Sequence, residues 1–141
     1  DAAHLGGQAS VGVMTVVTDG RLEKGAYKKF TLRADHGGDD LSALREILGR
    51  RLRHPEWGMP DIAVIDGSEL QRAVAEEVFA AVDTKPLIVS VVKDDRHKAR
   101  EIVGLPDGFA RVRESILLAN AEAHRFAIAF HRKRRGKEFL R

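Results

Sequence analysis

Two short apolar runs separated by one capped helix pattern restrict this chain more than any other feature. The runs are "DIAVIDG" at 61–67 and "PLIVSVV" at 86–92. Each is too short for a helix and rich in β-branched residues, which marks buried strands. Between them, "SELQ" at 68–71 has the form of a capping box, with Ser68 and Gln71 able to satisfy the first amides of a helix reciprocally. Leu70, Val74, Val78 and Val82 then recur at helical spacing as an inward stripe. Strand, helix and strand joined in this way should lie parallel through a right-handed crossover. The core of the chain is therefore expected to be an α/β sheet.

The flanking segments add to that sheet. "VGVMTVV" (11–17) reads as one buried strand, and Asp19-Gly20 fills the two-residue hairpin slot that favours positive φ. The chain returns through "GAYKKFTLR" (25–33), with Tyr27, Lys29 and Thr31 on one face and Phe30 and Leu32 on the other. "GGDD" (37–40) leads into a helix whose apolar positions are Leu41, Leu44, Ile47 or Leu48, and Leu52, and "HPEWGMP" (54–60) ends it. "KDDRHKAREIVGLPDG" (93–108) is polar and reads as a loop with some local order. A long helix is expected over roughly 109–133, with Val112, Ile116, Ala119 or Asn120, Ala123, Ala127 and Phe130 inward. The order is hairpin, helix, strand, helix, strand, long helix: a mixed sheet flanked by helices.

A chain of 141 residues with 43% hydrophobic content is sized for a single domain, 1–141. It has no cysteine, which excludes disulfides and thiolate metal sites and makes a reducing cytoplasm the expected compartment. No apolar stretch approaches the length of a membrane span, so no membrane partner is expected. The net charge of +3 is unevenly placed. Residues 131–141 carry six of the 24 Lys and Arg residues against one acid, while the other 130 residues hold 18 basic and 20 acidic side chains. That basic end is either a solvated tail or a segment that attracts a polyanion such as nucleic acid.

Ligands of open α/β sheets collect beyond the carboxyl ends of parallel strands. Asp66 ends the first such strand, Asp94 and Asp95 end the second, and the Gly67-Ser68 turn should offer free amides beside them. Each residue also has an ordinary reading. Asp before Gly is common turn chemistry, Asp39 and Asp40 suit helix capping, and Asp94 and Asp95 suit an exposed loop. His124 alone on a helix reads as a surface or half-buried histidine. Oxygen ligands without thiolates suit Mg²⁺ or Mn²⁺, and a histidine can join such a site or carry a proton. Carboxylates beside a basic segment make sense for phosphodiester hydrolysis. Walker-type and GxGxxG loops are absent from the sequence, so nucleotide-dependent phosphoryl transfer and dinucleotide binding lack their usual support.

Six segments, in order, resemble one family. They are "DAAHLGGQASVGVMTVV", "AYKKFTLR", "GGDDLSALREILGRRL", "PDIAVIDGSELQ", "VVKDD" and "EAHRFAIAFHRKRR". Together they are similar to the C-terminal endonuclease domain of UvrC, the incising protein of the bacterial excision nuclease. The last, with its Glu-Ala-His-Arg-Phe-Ala-Ile helix, is the closest match. After Ile65-Asp66-Gly67 the chain departs from the family's second glycine: Ser68 and Glu69 intervene, and only Gln71 is comparable.

The resemblance implies a ribonuclease H-like mixed β-sheet flanked by helices, whose first strand would lie before residue 1, in a chain that is a fragment of a longer protein. It implies a site of Asp1, Asp66 and His124 using Mg²⁺ or Mn²⁺, with Asp40, His4, Asp94 and Asp95 as secondary candidates. Arg125, Arg132, Lys133, Arg134 and Arg135 would contact DNA phosphate. The implied activity is the 5′ incision of lesion-containing double-stranded DNA in bacterial nucleotide excision repair, with the damage-loading protein of the excision nuclease as partner through parts outside this chain. The contrasting expectation is a catalytically idle module of the same fold that binds nucleic acid or protein.

Overall fold

The computed structural model describes residues 2–3, 11–32, 39–83, 85–96 and 98–140, without the side chains of 2, 3, 99, 100, 131 and 133–140. Its central unit is the expected strand–helix–strand. β6 (Ile62–Asp66) and β7 (Leu87–Lys93) pair in parallel, from Ile62 opposite Leu87 to Asp66 opposite Val91. α2 (Glu69–Phe79) crosses between them. It starts at the capping box: the Ser68 amide donates to Gln71 Oε1 at 2.9 Å, and Ser68 Oγ accepts from the Leu70 amide at 3.3 Å.

Alternation along the strands decides what each face of this sheet meets. Ala63, Ile65 and Ile88 face α2 and α1 (Asp40–Leu52), packing with Leu44, Leu48, Val74, Ala75 and Phe79. Ile62, Val64, Leu87, Val89 and Val91 face the opposite way, onto Val112 just before the long helix α3 (Arg113–Leu140) and onto Ile116 and Leu117 in its first turns. The sheet thus lies between two helical layers.

The amino-terminal hairpin, expected to add to that sheet, instead forms a separate three-stranded sheet among the described residues. β2 (Val11–Met14) pairs antiparallel with β5 (Lys28–Thr31), and the two-residue β1 (Ala2–Ala3) lies on the other side of β2. Phe30 and Leu32 are buried while Lys29 and Thr31 are exposed, which is the alternation the sequence carries. The run 11–17 is two strands, not one. It breaks at Thr15, whose hydroxyl donates to the Ala119 carbonyl of α3 at 3.0 Å. β3 (Val17–Thr18) then turns into β4 (Arg21–Leu22) through Asp19 (φ 52) and Gly20 (φ 78).

Three further expectations change. Residues 99–103 are not loop: β8 (Ala99–Val103) pairs antiparallel with β7, because Asp94 closes a tight turn by accepting from the Arg96 and Lys98 amides at 2.8 and 3.0 Å. Leu70 does not belong to the inward stripe of α2; it is 67% exposed in the helix's first turn, just past the strand end, whereas Val74 is buried and Val78 and Val82 pack on the core as expected, joined by Ala75 and Phe79. The long helix begins after a 3₁₀ turn at Ala110–Val112 and runs beyond 133, to Leu140.

Candidate functional site

Asp66 is the last residue of β6, two positions beyond Val64, so it faces the α3 layer. There Asn120 donates from Nδ2 to Asp66 Oδ1 at 3.0 Å. Asn120 is itself 5% exposed, an interior amide held in place by this bond. The same oxygen receives Lys93, whose Nζ lies 2.6 Å away, with the two side chains 18% and 19% exposed. Lys93 ends β7, where the pairing with β8 shifts register between Val92 and Lys93. Burial pushes the Asp66 carboxyl up, but the bonds from Lys93 and Asn120 outweigh it and hold the group below the usual carboxylate range.

His124 stands one helical turn beyond Asn120 on α3 and is exposed. Because residues four apart share a face, the turn that meets Asp66 also carries His124 at its next position. Asp40 lies in the first turn of α1, and it lines, with Asp66 and Lys93, a cavity of about 1100 Å³ between the β2 and β6 regions. Asp39, not Asp40, caps α1, accepting from the Leu41 and Ser42 amides at 3.0 and 3.3 Å. Asp94 is the turn residue of the β7–β8 hairpin, and Asp95 is exposed beside it. The amides expected to be free at Gly67-Ser68 are engaged: Gly67 donates to the Val91 carbonyl at 3.2 Å and Ser68 to Gln71.

Asp1 and His4 lie outside the described residues. Among the described residues, no three His, Cys, Asp or Glu side chains gather at a spacing that would hold a metal ion. The donor chemistry at Asp66 nevertheless suits a hard cation: a carboxylate oxygen on a largely sheltered side chain already has a positive charge at contact distance.

The basic candidates divide. Arg125 makes a two-pronged ion pair with Glu122, Nε to Oε2 at 2.9 Å and Nη2 to Oε1 at 2.6 Å. Glu122 is 7% exposed and also accepts from the Tyr27 hydroxyl at 3.1 Å. The Tyr27 bond therefore fastens α3 to the hairpin, and Arg125 stays 56% exposed on its outer side. Lys29 extends the seam, its ammonium 5.4 Å from the Phe126 ring centre and 5.1 Å from that of Phe130. Arg132 is exposed, and Lys133, Arg134 and Arg135 continue the same helix with side chains outside the described residues. Asn120 and Lys93 are the contacts that residue patterns alone did not assign to Asp66. Asn120 was one of two choices for the inward stripe, and a polar residue there was the available signal.

A mixed sheet between helical layers, with an acid at the end of a parallel strand facing a long C-terminal helix, has a counterpart among known domains. Residues 1–128 match the family described as the UvrC RNAse H endonuclease domain, and the chain belongs to this family, with its RNase H-like fold. Its relatives include the UvrABC system protein C of Caldicellulosiruptor saccharolyticus, 34% identical over 144 residues, which covers 97% of this chain and 24% of that protein. The protein of the same name from Caldanaerobacter subterraneus subsp. tengcongensis is 33% identical over 162 residues, covering 99% of this chain and 26% of the relative. That of Wolbachia pipientis is 34% identical over 149 residues, covering 99% and 25%. The chain spans about a quarter of the length of these curated relatives.

Proposed function

We propose that the chain is the divalent-metal-dependent endonuclease domain of a longer excision-repair protein, making the cut 5′ to a lesion in double-stranded DNA. The observation that carries this reading is the docking of Asp66 against the turn of α3 that leads to His124, through the Asn120 bond at 3.0 Å. Two residues 58 positions apart in sequence are thereby set on one side of the sheet, at the carboxyl end of a parallel strand.

Asp1, Asp66 and His124 are the residues that would hold Mg²⁺ or Mn²⁺. Such an ion offsets phosphate charge and lowers the pKa of water that attacks the scissile bond. Asn120 fixes the rotation of the Asp66 carboxyl. Lys93 keeps that carboxyl ionised against its burial. His124 would accept or deliver a proton near the scissile phosphate. Arg132 and its basic neighbours on α3 supply the sequence-independent hold on the DNA backbone. The damage-loading protein would act through other parts of the longer protein, and the compartment implied is the bacterial cytoplasm.

The test is nicking of a lesion-bearing duplex by the full-length excision nuclease in Mn²⁺. Asp66→Asn should abolish the 5′ nick and leave the 3′ nick in place. An unchanged 5′ nick would show that Asp66 is not part of the machinery.

A further inference from the structure

The contact between Lys93 and Asp66 is an ion pair in the one place where the proposed reaction wants a metal. We propose that Lys93 is a positioning residue that acts as a resident counter-ion. It holds the Asp66 carboxylate charged and oriented until a divalent cation displaces it. The inference rests on the endonuclease reading above and assigns a residue to it.

Three observations carry it. First, Lys93 Nζ and Asn120 Nδ2 converge on the same atom, Asp66 Oδ1, at 2.6 and 3.0 Å. A metal held by that oxygen and the ammonium therefore compete for one site. Second, both members of the pair are more than four-fifths sheltered from water. An uncompensated carboxylate there would suffer a desolvation penalty, and Lys93 removes it before any metal arrives. Third, the irregular pairing between Val92 and Lys93 sits next to this contact. Such bulges re-aim a side chain at the end of a strand, often beside an active site. The lysine stem is long and flexible, and Lys93 and Asp66 line the same cavity. A displaced ammonium thus has room on that wall and stays beside the place where a phosphate would enter.

The experiment measures Mn²⁺ binding to the full-length protein by calorimetry without DNA, counting only the binding that Asp66→Asn removes. Lys93→Met keeps the stem and deletes the charge. It should tighten that binding about tenfold or more, the scale of removing one unit charge from a partly buried site. Lys93→Arg retains the pairing and should bind Mn²⁺ within a few-fold of the parent. Unchanged or weaker binding in Lys93→Met overturns the counter-ion role, as does equal tightening in Lys93→Arg. If Asp66→Asn removes no Mn²⁺ binding at all, the metal-site reading itself fails, which is a separate result. Circular dichroism of Lys93→Met confirms that a fold is present, and Lys93→Arg still tests the competition if it is not.

Discussion

Tyr27 offers a direct probe of how α3 is fastened to the hairpin. It is the only tyrosine in the chain, so the phenolate absorption band reports on this one site. Burial pushes its hydroxyl up, the hydrogen bond to Glu122 and that carboxylate's charge push it further, and Arg125 pulls it back slightly. The result is about 12 against an ordinary 10.0. A phenol that holds its proton more tightly when folded contributes stability that is complete below the unfolded value near 10 and is lost as pH rises through about 12. Two pH units correspond to about 2.7 kcal/mol at 1.36 kcal/mol per unit. Water reaches part of the phenol, so about 1–2 kcal/mol is the expected share. Ultraviolet titration of the native protein should place the transition near 12, and in urea near 10. Glu122→Gln should move the native transition part of the way back, because burial persists and the charge does not. In denaturant unfolding, the advantage of the parent over Tyr27→Phe should shrink between about pH 10 and about pH 12. A native transition at 10 would refute the Tyr27–Glu122 tie and, with it, this account of how the helix bearing Asn120 and His124 is held.

Two further predictions concern the frame around the site. Ser90 in β7 is 0% exposed, and its hydroxyl has no hydrogen-bond partner among the described residues. Ser90→Ala should therefore raise the unfolding midpoint in urea by an amount equivalent to about 1–3 kcal/mol, and a loss of stability would show that the hydroxyl is satisfied after all. Gly104 has φ +91, and a Cβ there would run into the guanidinium of Arg72, which donates to the Ile88 carbonyl at 3.0 Å. Gly104→Ala should cost about 1–3 kcal/mol in the same assay, whereas a neutral effect would mean that the β8 turn relaxes freely.

The parts of this fold legible in the sequence are those whose signal is local. The capping box at Ser68–Gln71, the Asp19-Gly20 turn and the apolar runs at 61–67 and 86–92 each determine their own neighbourhood, and the structure keeps all of them. β8 escaped notice because an edge strand with charged residues looks like loop until its partner is known, and its pairing depends on the Asp94 turn. Leu70 obeys helical spacing but falls in the turn before α2 reaches the sheet, so periodicity misplaces it. At the site, the position of Asp66 at a strand end was readable from the run that precedes it. Its partners were not, because Lys93 and Asn120 reach it from β7 and α3, and only the packing of those elements brings two distant polar groups to one oxygen.

α3 also sets a length. At 1.5 Å per residue its 28 residues extend about 42 Å. His124 and Arg132 are then about 12 Å apart along the axis, and His124 and Arg135 about 17 Å. Successive phosphates of one strand advance about 3.4 Å along a duplex, so these spans equal about four to five nucleotides. One continuous helix thus works as a ruler between His124, one turn past the Asp66 contact, and the basic end. On the proposed reading, it fixes how far from the cut bond the backbone is gripped.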